Sequence, residues 1–114
     1  MSADVRNLIA DAANTVTGFN VTPYFRQTTK PGDGMVRLER MNRDTSGFAY
    51  MYIWQVLIVL PQDIAQAEKF LDEHVSSLVT AISEELIVTT VTPQQLALDT
   101  GTIPVVLIEG NRAS

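Results

Sequence analysis

The apolar positions of this 114-residue chain change their period several times, and each change predicts an element. Val5, Leu8, Ile9, Ala12, Ala13 and Val16 recur at the three- and four-residue spacing of an amphipathic helix. Ser2 can cap that helix, Asp4 suits its first turn, and Gly18 ends the pattern. Val21 to Arg26 reads as a short strand, and Pro23 inside it argues for a sheet edge, because proline cannot donate to a ladder. Gln27 to Gly34 (QTTKPGDG) predicts a mobile loop or wide turn. Met35 to Arg43 follows as a strand that is only half apolar. The turn residues Asp44, Thr45, Ser46 and Gly47 then let it fold back as a hairpin on Ala49–Leu60, AYMYIWQVLIVL.

Ala49–Leu60 is the longest strand signal in the chain. Tyr50, Tyr52, Trp54, Val56, Ile58 and Leu60 share one face; Ala49, Met51, Ile53, Gln55, Leu57 and Val59 share the other. Both faces are apolar toward Leu60, which predicts a central strand at that end. Twelve extended residues span about 40 Å, whereas a compact chain of this size is about 34 Å across. The strand is therefore expected to cross the whole domain or to project from it.

A capped helix is predicted after Pro61. Asp63 with Gln66 three residues on has the spacing of a capping box. Ala67, Leu71, Val75, Leu78 and Ile82 form a stripe that Ile64, Phe70, Val79 and Leu86 widen. Such a helix is about 30 Å long, enough to cover a sheet. Leu86–Thr92 reads as a strand closed by Pro93. Gln94–Thr100 and Ile103–Glu109 flank Gly101 as a last hairpin, with Pro104 near a strand start or on an edge. Residues 110–114 are expected to form a flexible tail. The order predicts one α+β domain with a mainly antiparallel sheet, a long β-hairpin, one long helix packed on the sheet and a shorter N-terminal helix.

An apolar share of 46 % and a charged share of 18 % suit a folded chain rather than a disordered one. With no cysteine, a disulfide framework, a thiol nucleophile and thiolate metal sites are excluded. The N-terminus lacks the basic start and apolar run of a signal peptide, and Ala49–Leu60 is too short to span a bilayer. A soluble protein with no membrane partner is expected. The net charge of −5 is unevenly spread. Arg26, Lys30, Arg37, Arg40 and Arg43 stand against Asp33 and Glu39, a local +3; from Asp44 onward nine acids stand against Lys69 and Arg112, a local −7. Segregated charge of this kind suits head-to-tail contact between copies, or two differently charged partners. Solvated strand and helix faces account for it equally well.

Candidate chemistry is sparse. Leu96–Thr102 (LALDTGT) matches the apolar-Asp-Thr-Gly-Thr signature of dimeric, retroviral-type aspartic proteases, in which two carboxylates share a proton. In that family, however, a flap hairpin and further core strands follow the triplet. Here thirteen residues follow Gly101, and a long helix precedes it. A turn between the last two strands is the better expectation for Asp99. His74, the sole histidine, is expected to pack half-buried on the second helix rather than to bind metal. Asp72 and Glu73 point about 100° apart on a helix and cannot pair. Gly32-Asp33-Gly34 is too short for a phosphate loop and precedes a strand. No enzyme, catalytic residue, cofactor or metal is expected. In regular alternation Arg37 and Arg43 share one strand face and Arg40 takes the other, with Arg26 and Lys30 on the preceding loop. Such residues contact phosphates, but an acidic protein is a poor free-standing DNA binder. A basic surface in an oligomeric channel, or against an acidic neighbour, fits better.

The succession SADVRNLIADAANTV, QTTKPGDG, MVRLERMNRD, AYMYIWQVLIVL, QDIAQAEKFLDEHVSSLVTAI, LIVTTVT and TIPVVLIEG resembles the tail-terminator (tail-completion) family of long-tailed, non-contractile-tailed bacteriophages. The likeness covers nearly the full chain and is one of pattern and size. It implies a non-enzymatic virion protein, assembled in the host cytoplasm, that forms a homohexameric ring on the finished tail tube. The ring would stop tube growth and dock to the head–tail connector protein, with DNA passing through its lumen as cargo. Arg26, Lys30, Arg37, Arg40, Arg43, Tyr50, Tyr52 and Trp54 become the candidate interface or lumen residues, and Gln27–Gly34 a loop ordered on assembly. Another phage neck or head–tail connector protein is the alternative within that class, and a dimeric protease using Asp99 the alternative outside it.

Overall fold

The computed structural model describes residues 2–43 and 50–113. It is an α+β fold: α1 (Ser2–Asn14), β1 (Asn20–Thr22), β2 (Asp33–Arg43), β3 (Tyr50–Val59), α2 (Ile64–Ile82), β4 (Ile87–Leu98) and β5 (Gly101–Ala113). The five strands form one sheet in the order β1-β2-β3-β5-β4. Only the β1–β2 pair is parallel. The proposed turn at Asp44–Gly47, and Ala49, lie outside the described residues.

β3 is the middle strand, which explains its composition. Trp54, Val56 and Ile58 join Val36, Val106 and Ile108 with Ile9, Ala10 and Ala13 of α1 and Leu78 and Ile82 of α2 in the main core cluster. The opposite face carries a second cluster of Met35, Leu57, Val59, Ile103, Val105 and Leu107, with Leu96 and Leu98 packed against it. Phe25 and Leu96 close over Met35 and Leu57 around a void of only about 20 Å³. The connection between β1 and β2 thus reaches the margin of this second cluster, which holds no helix residue, through Phe25. A strand buried on both faces reads as a continuous apolar run, and LIVL is that run.

Several boundaries differ from the sequence reading. β1 stops at Thr22, before Pro23, and is clamped at the edge by Asn14, whose side chain donates to the Val21 carbonyl (2.9 Å) and accepts from its amide (2.7 Å). β2 begins at Asp33, so Asp33 and Gly34 belong to the sheet rather than to the Gln27–Gly34 loop. Thr28 donates to Asp33 (2.7 Å), and Arg26 ion-pairs with it at 3.5 Å. Gly110–Ala113, read as a tail, continue β5 and pair with β3 from Trp54↔Gly110 to Met51↔Ala113.

Pro93 does not close a strand either: β4 runs through it to Leu98 in a single hairpin with β5. Backbone parity explains the tolerance. Leu60 donates to the Pro104 carbonyl (3.0 Å), so Pro104 addresses β3, and Ile103, Val105, Leu107 and Glu109 address β4. Their partners Leu96, Gln94, Thr92 and Thr90 use the inner ladder. Pro93 falls between them, and its missing N–H lies on the free edge, where no ladder bond is lost.

Asp63 caps α2 with its side chain accepting from the Gln66 amide at 3.1 Å. Ile64 leaves the predicted stripe and is 81 % exposed.

Candidate interaction surface

The molecule measures 47 × 29 × 21 Å, and its long axis is the reason one end of the sheet runs out of core. Along β3, burial rises steadily from exposed Tyr50 and Met51, through half-buried Tyr52 and Ile53, to the fully buried run that begins at Trp54. Beside that exposed start lie Arg40–Arg43 of β2 and Asn111–Ala113 of β5. Together they make an arm on which Met41, Tyr50 and Met51 are 51, 45 and 38 % exposed.

A bulge decides which side chains share a face of this arm. Leu38 pairs with Trp54 and Arg40 with Ile53, so Glu39 is the extra residue on β2. Alternation is reset there. Arg37 stands opposite Gln55 and Arg40 opposite Ile53, on one face, whereas Met41 stands opposite Tyr52 on the other. The expected placing of Arg40 on the face opposite Arg37 is therefore corrected, since one inserted residue shifts the alternation that follows it; the side chain of Arg43 lies outside the described residues. Met41, opposite Tyr52, joins Tyr50 on the face that continues the main core outward.

Arg37 is engaged rather than free. Its Nε and Nη2 donate to Oε1 of Gln55 at 2.8 and 2.6 Å, and Nε2 of Gln55 donates to Glu109 at 3.0 Å. Gln55, 6 % exposed, thus carries a polar ladder across β2, β3 and β5 that neutralises the basic strand where it enters the body of the sheet. Arg40 is exposed and pairs with Glu39 at 2.9 Å. Arg26 donates to the Asn20 carbonyl (2.7 Å), besides its pair with Asp33, and is a structural tie of the loop. Lys30 is exposed beside it, its amide donating to Thr28.

Trp54, a candidate interface residue from sequence, has no exposed surface and belongs to the core. It stacks on half-buried Tyr52 (centroids 6.3 Å apart, planes at 19°). Arg6 of α1 went unnoticed in the sequence. Its guanidinium lies 4.7 Å from the Tyr24 ring and 5.2 Å from the Trp54 ring and donates to the Pro23 and Val36 carbonyls. This covers the edge of β2 just beyond the three-residue β1, combining cation–π contact with two satisfied carbonyls. A basic residue on the polar flank of a helix gives no such signal in sequence.

At the far end of β3, a cleft of about 320 Å³ opens between the first turns of α2 and the middle of β4. Exposed Ile64 lines it, with Leu60, Pro61, Leu71 and Pro93, and Glu68 is its one charged residue.

The residues weighed for catalysis lie apart from one another. Asp99 is exposed in the β4–β5 turn, its amide donating to Gln27 at 3.3 Å. His74 packs edge-on against Phe19 (5.8 Å) and beside Phe70 (4.9 Å), the half-buried packing role expected of it. Among the described residues no three His, Asp or Glu gather as a metal site.

No protein-family model matches the chain, and no curated protein matches it. What the structure defines is a class: an α+β protein built on a five-stranded, mostly antiparallel sheet.

Proposed function

We propose that this protein is a structural subunit that assembles with its own copies into a ring on the tail tube of a long-tailed, non-contractile-tailed bacteriophage. The ring, of six copies, ends tube polymerisation and offers the docking surface for the head connector. DNA crosses its lumen only as cargo, and the finished ring is part of the virion tail.

The observation that carries this reading is the arm. The antiparallel pair of β2 and β3 leaves Met41, Tyr50 and Met51 in water at one end, while the other end of β3 is fully buried. Exposed apolar side chains grouped on a projecting element mark an interaction site. Two further features support self-association. The sheet has two unlike open edges, the long uncharged β4 and the part of β2 beyond β1, which three residues cover. α2 also carries a group of exposed acids, Glu68, Asp72 and Glu73. Unlike surfaces that meet head to tail close into rings when the rotation per subunit allows it.

The test is to add the purified protein to polymerising tail-tube subunits from the same source and image the tubes. Tubes should become shorter with rising protein and carry density on one end. Tubes of unaltered length would overturn the terminator role, and binding to the connector instead would move the protein to the neck.

A further inference from the structure

We propose that the end of the β4–β5 hairpin, Leu96–Ile103, is a hinged flap that closes the second core and lifts from it as a unit while the rest of the sheet stays folded. This flap lies on the face that carries the second cluster, away from α1 and α2, and does not depend on self-assembly.

The flap is where the sheet curls. β4 is three strand spacings from β2 in the sheet order, about 14 Å if the sheet were flat. Along the strands, Leu57 is level with Leu107 and Thr92, and Leu96 lies a further four residues, about 13 Å, beyond Thr92. A flat sheet would therefore hold Leu96 far from Met35 and Leu57. Yet Leu96 lines a void of about 20 Å³ together with Phe25, Met35, Arg37 and Leu57. At the tip, the Asp99 amide donates to Oε1 of Gln27 at 3.3 Å. A hairpin end folded back across the sheet makes both contacts.

The last rungs of the ladder place the hinge. β3 pairs with β5 as far as Val59↔Val105, and the Leu60 amide then donates to the Pro104 carbonyl at 3.0 Å. Past that bond, Leu96↔Ile103, Ala97↔Thr102 and Leu98↔Gly101 have each other as strand partners. A two-stranded hairpin by itself is marginal in water, so the flap depends on the surface beneath it. Leu96, Leu98 and Ile103 supply that support by packing in the cluster with Met35, Leu57 and Val59.

The seam on the far side is lightly closed. Phe25, which meets the flap from the β1–β2 connection, is 47 % exposed. Gln27 and Asp99 are both exposed, so water competes for their bond. Arg26 and Thr28 are tied to β1 and to Asp33, which holds the connection in place and leaves the flap as the moving part. An element with few buried apolar contacts and solvent-exposed hydrogen bonds opens at lower cost than the body of the fold. Behind it Met35 and Leu57 are each 1 % exposed, so a lifted flap uncovers an apolar face that the closed molecule hides.

Met35 and Val36 make the test direct: they are neighbours on β2, each 1 % exposed, in the second and the main core respectively. The chain has no cysteine, so Met35→Cys and Val36→Cys each place a single thiol in it. In native buffer the Met35→Cys thiol should react with a disulfide reagent at least about tenfold faster than the Val36→Cys thiol, each rate being referred to that variant's own unfolding equilibrium in urea. Its rate should also depend only weakly on urea, because lifting the flap exposes little surface. Equal rates with equal urea dependence would overturn the proposal, since both faces would then open by global unfolding. Hydrogen exchange of the unmodified chain is the second measurement and needs no variant. The amides of Leu96 and Ile103 should exchange before those of Thr92 and Leu107 in the same hairpin. Uniform protection along the hairpin would overturn the flap, and with a fast Met35→Cys thiol it would assign the movement to the β1–β2 connection instead.

Discussion

Trp54→Ala should destabilise the fold by about 3–5 kcal/mol, the cost of emptying a fully buried aromatic site. The ring has no exposed surface, and its loss removes the stacking partner of Tyr52 and one of the two rings that hold the Arg6 guanidinium. At a few degrees per kcal/mol for a domain of this size, the melting temperature should fall by on the order of 15–30 °C. Trp54→Phe separates volume from polarity. The indole Nε1 is buried and has no hydrogen-bond partner among the described residues, so phenylalanine removes an unpaired donor along with part of the volume. Its cost should stay within about 1.5 kcal/mol. Urea unfolding followed by circular dichroism measures both. An alanine variant within about 0.5 kcal/mol of the parent would place Trp54 on a surface instead of in the core.

Gly32→Ala should cost on the order of 2–4 kcal/mol, combining a backbone strain with a steric one. Gly32 has φ +92°, and a Cβ there would stand 2.6 Å from the Gly18 carbonyl oxygen. That oxygen belongs to the main chain and cannot rotate away. Gly32 also joins two parts of the fold, donating to the Val59 carbonyl at 3.0 Å and accepting from the Asn20 amide at 3.1 Å. Gly18→Ala is the control: φ is +97° there too, but nothing lies within 4 Å of the added carbon. It should lose only the conformational part, about 1 kcal/mol. Equal losses at the two sites in thermal melts would show that the Gly18–Gly32 contact is not part of the fold.

These two residues mark how far the sequence could be read. The central place of β3 was legible because branched and aromatic side chains stand on both faces toward Val59, as in a strand covered on both sides. The Asp63 cap was legible because the cap and the amide it serves are three residues apart. The apolar alternation also put Trp54 on the right face, but alternation gives a face and not a depth. Only the position of α1, with Arg6 reaching across, turns Trp54 from a candidate contact into core. The bulge at Glu39 has no signature in composition, yet it exchanges the faces of every arm residue beyond it. Pro93 misled for a related reason: its effect depends on which way one amide points, and pairing with β5 sets that. The cleft could not be read at all, because Ile64 fits the helical stripe by spacing and yet is left exposed.

An arm that serves assembly makes the oligomeric state depend on concentration. Native mass spectrometry of the unmodified protein over a rising concentration series tests that most directly. A shift from monomer to one closed species of six copies, with little between, is the expected result. A strict monomer at every concentration, even with tail-tube protein present, would contradict it.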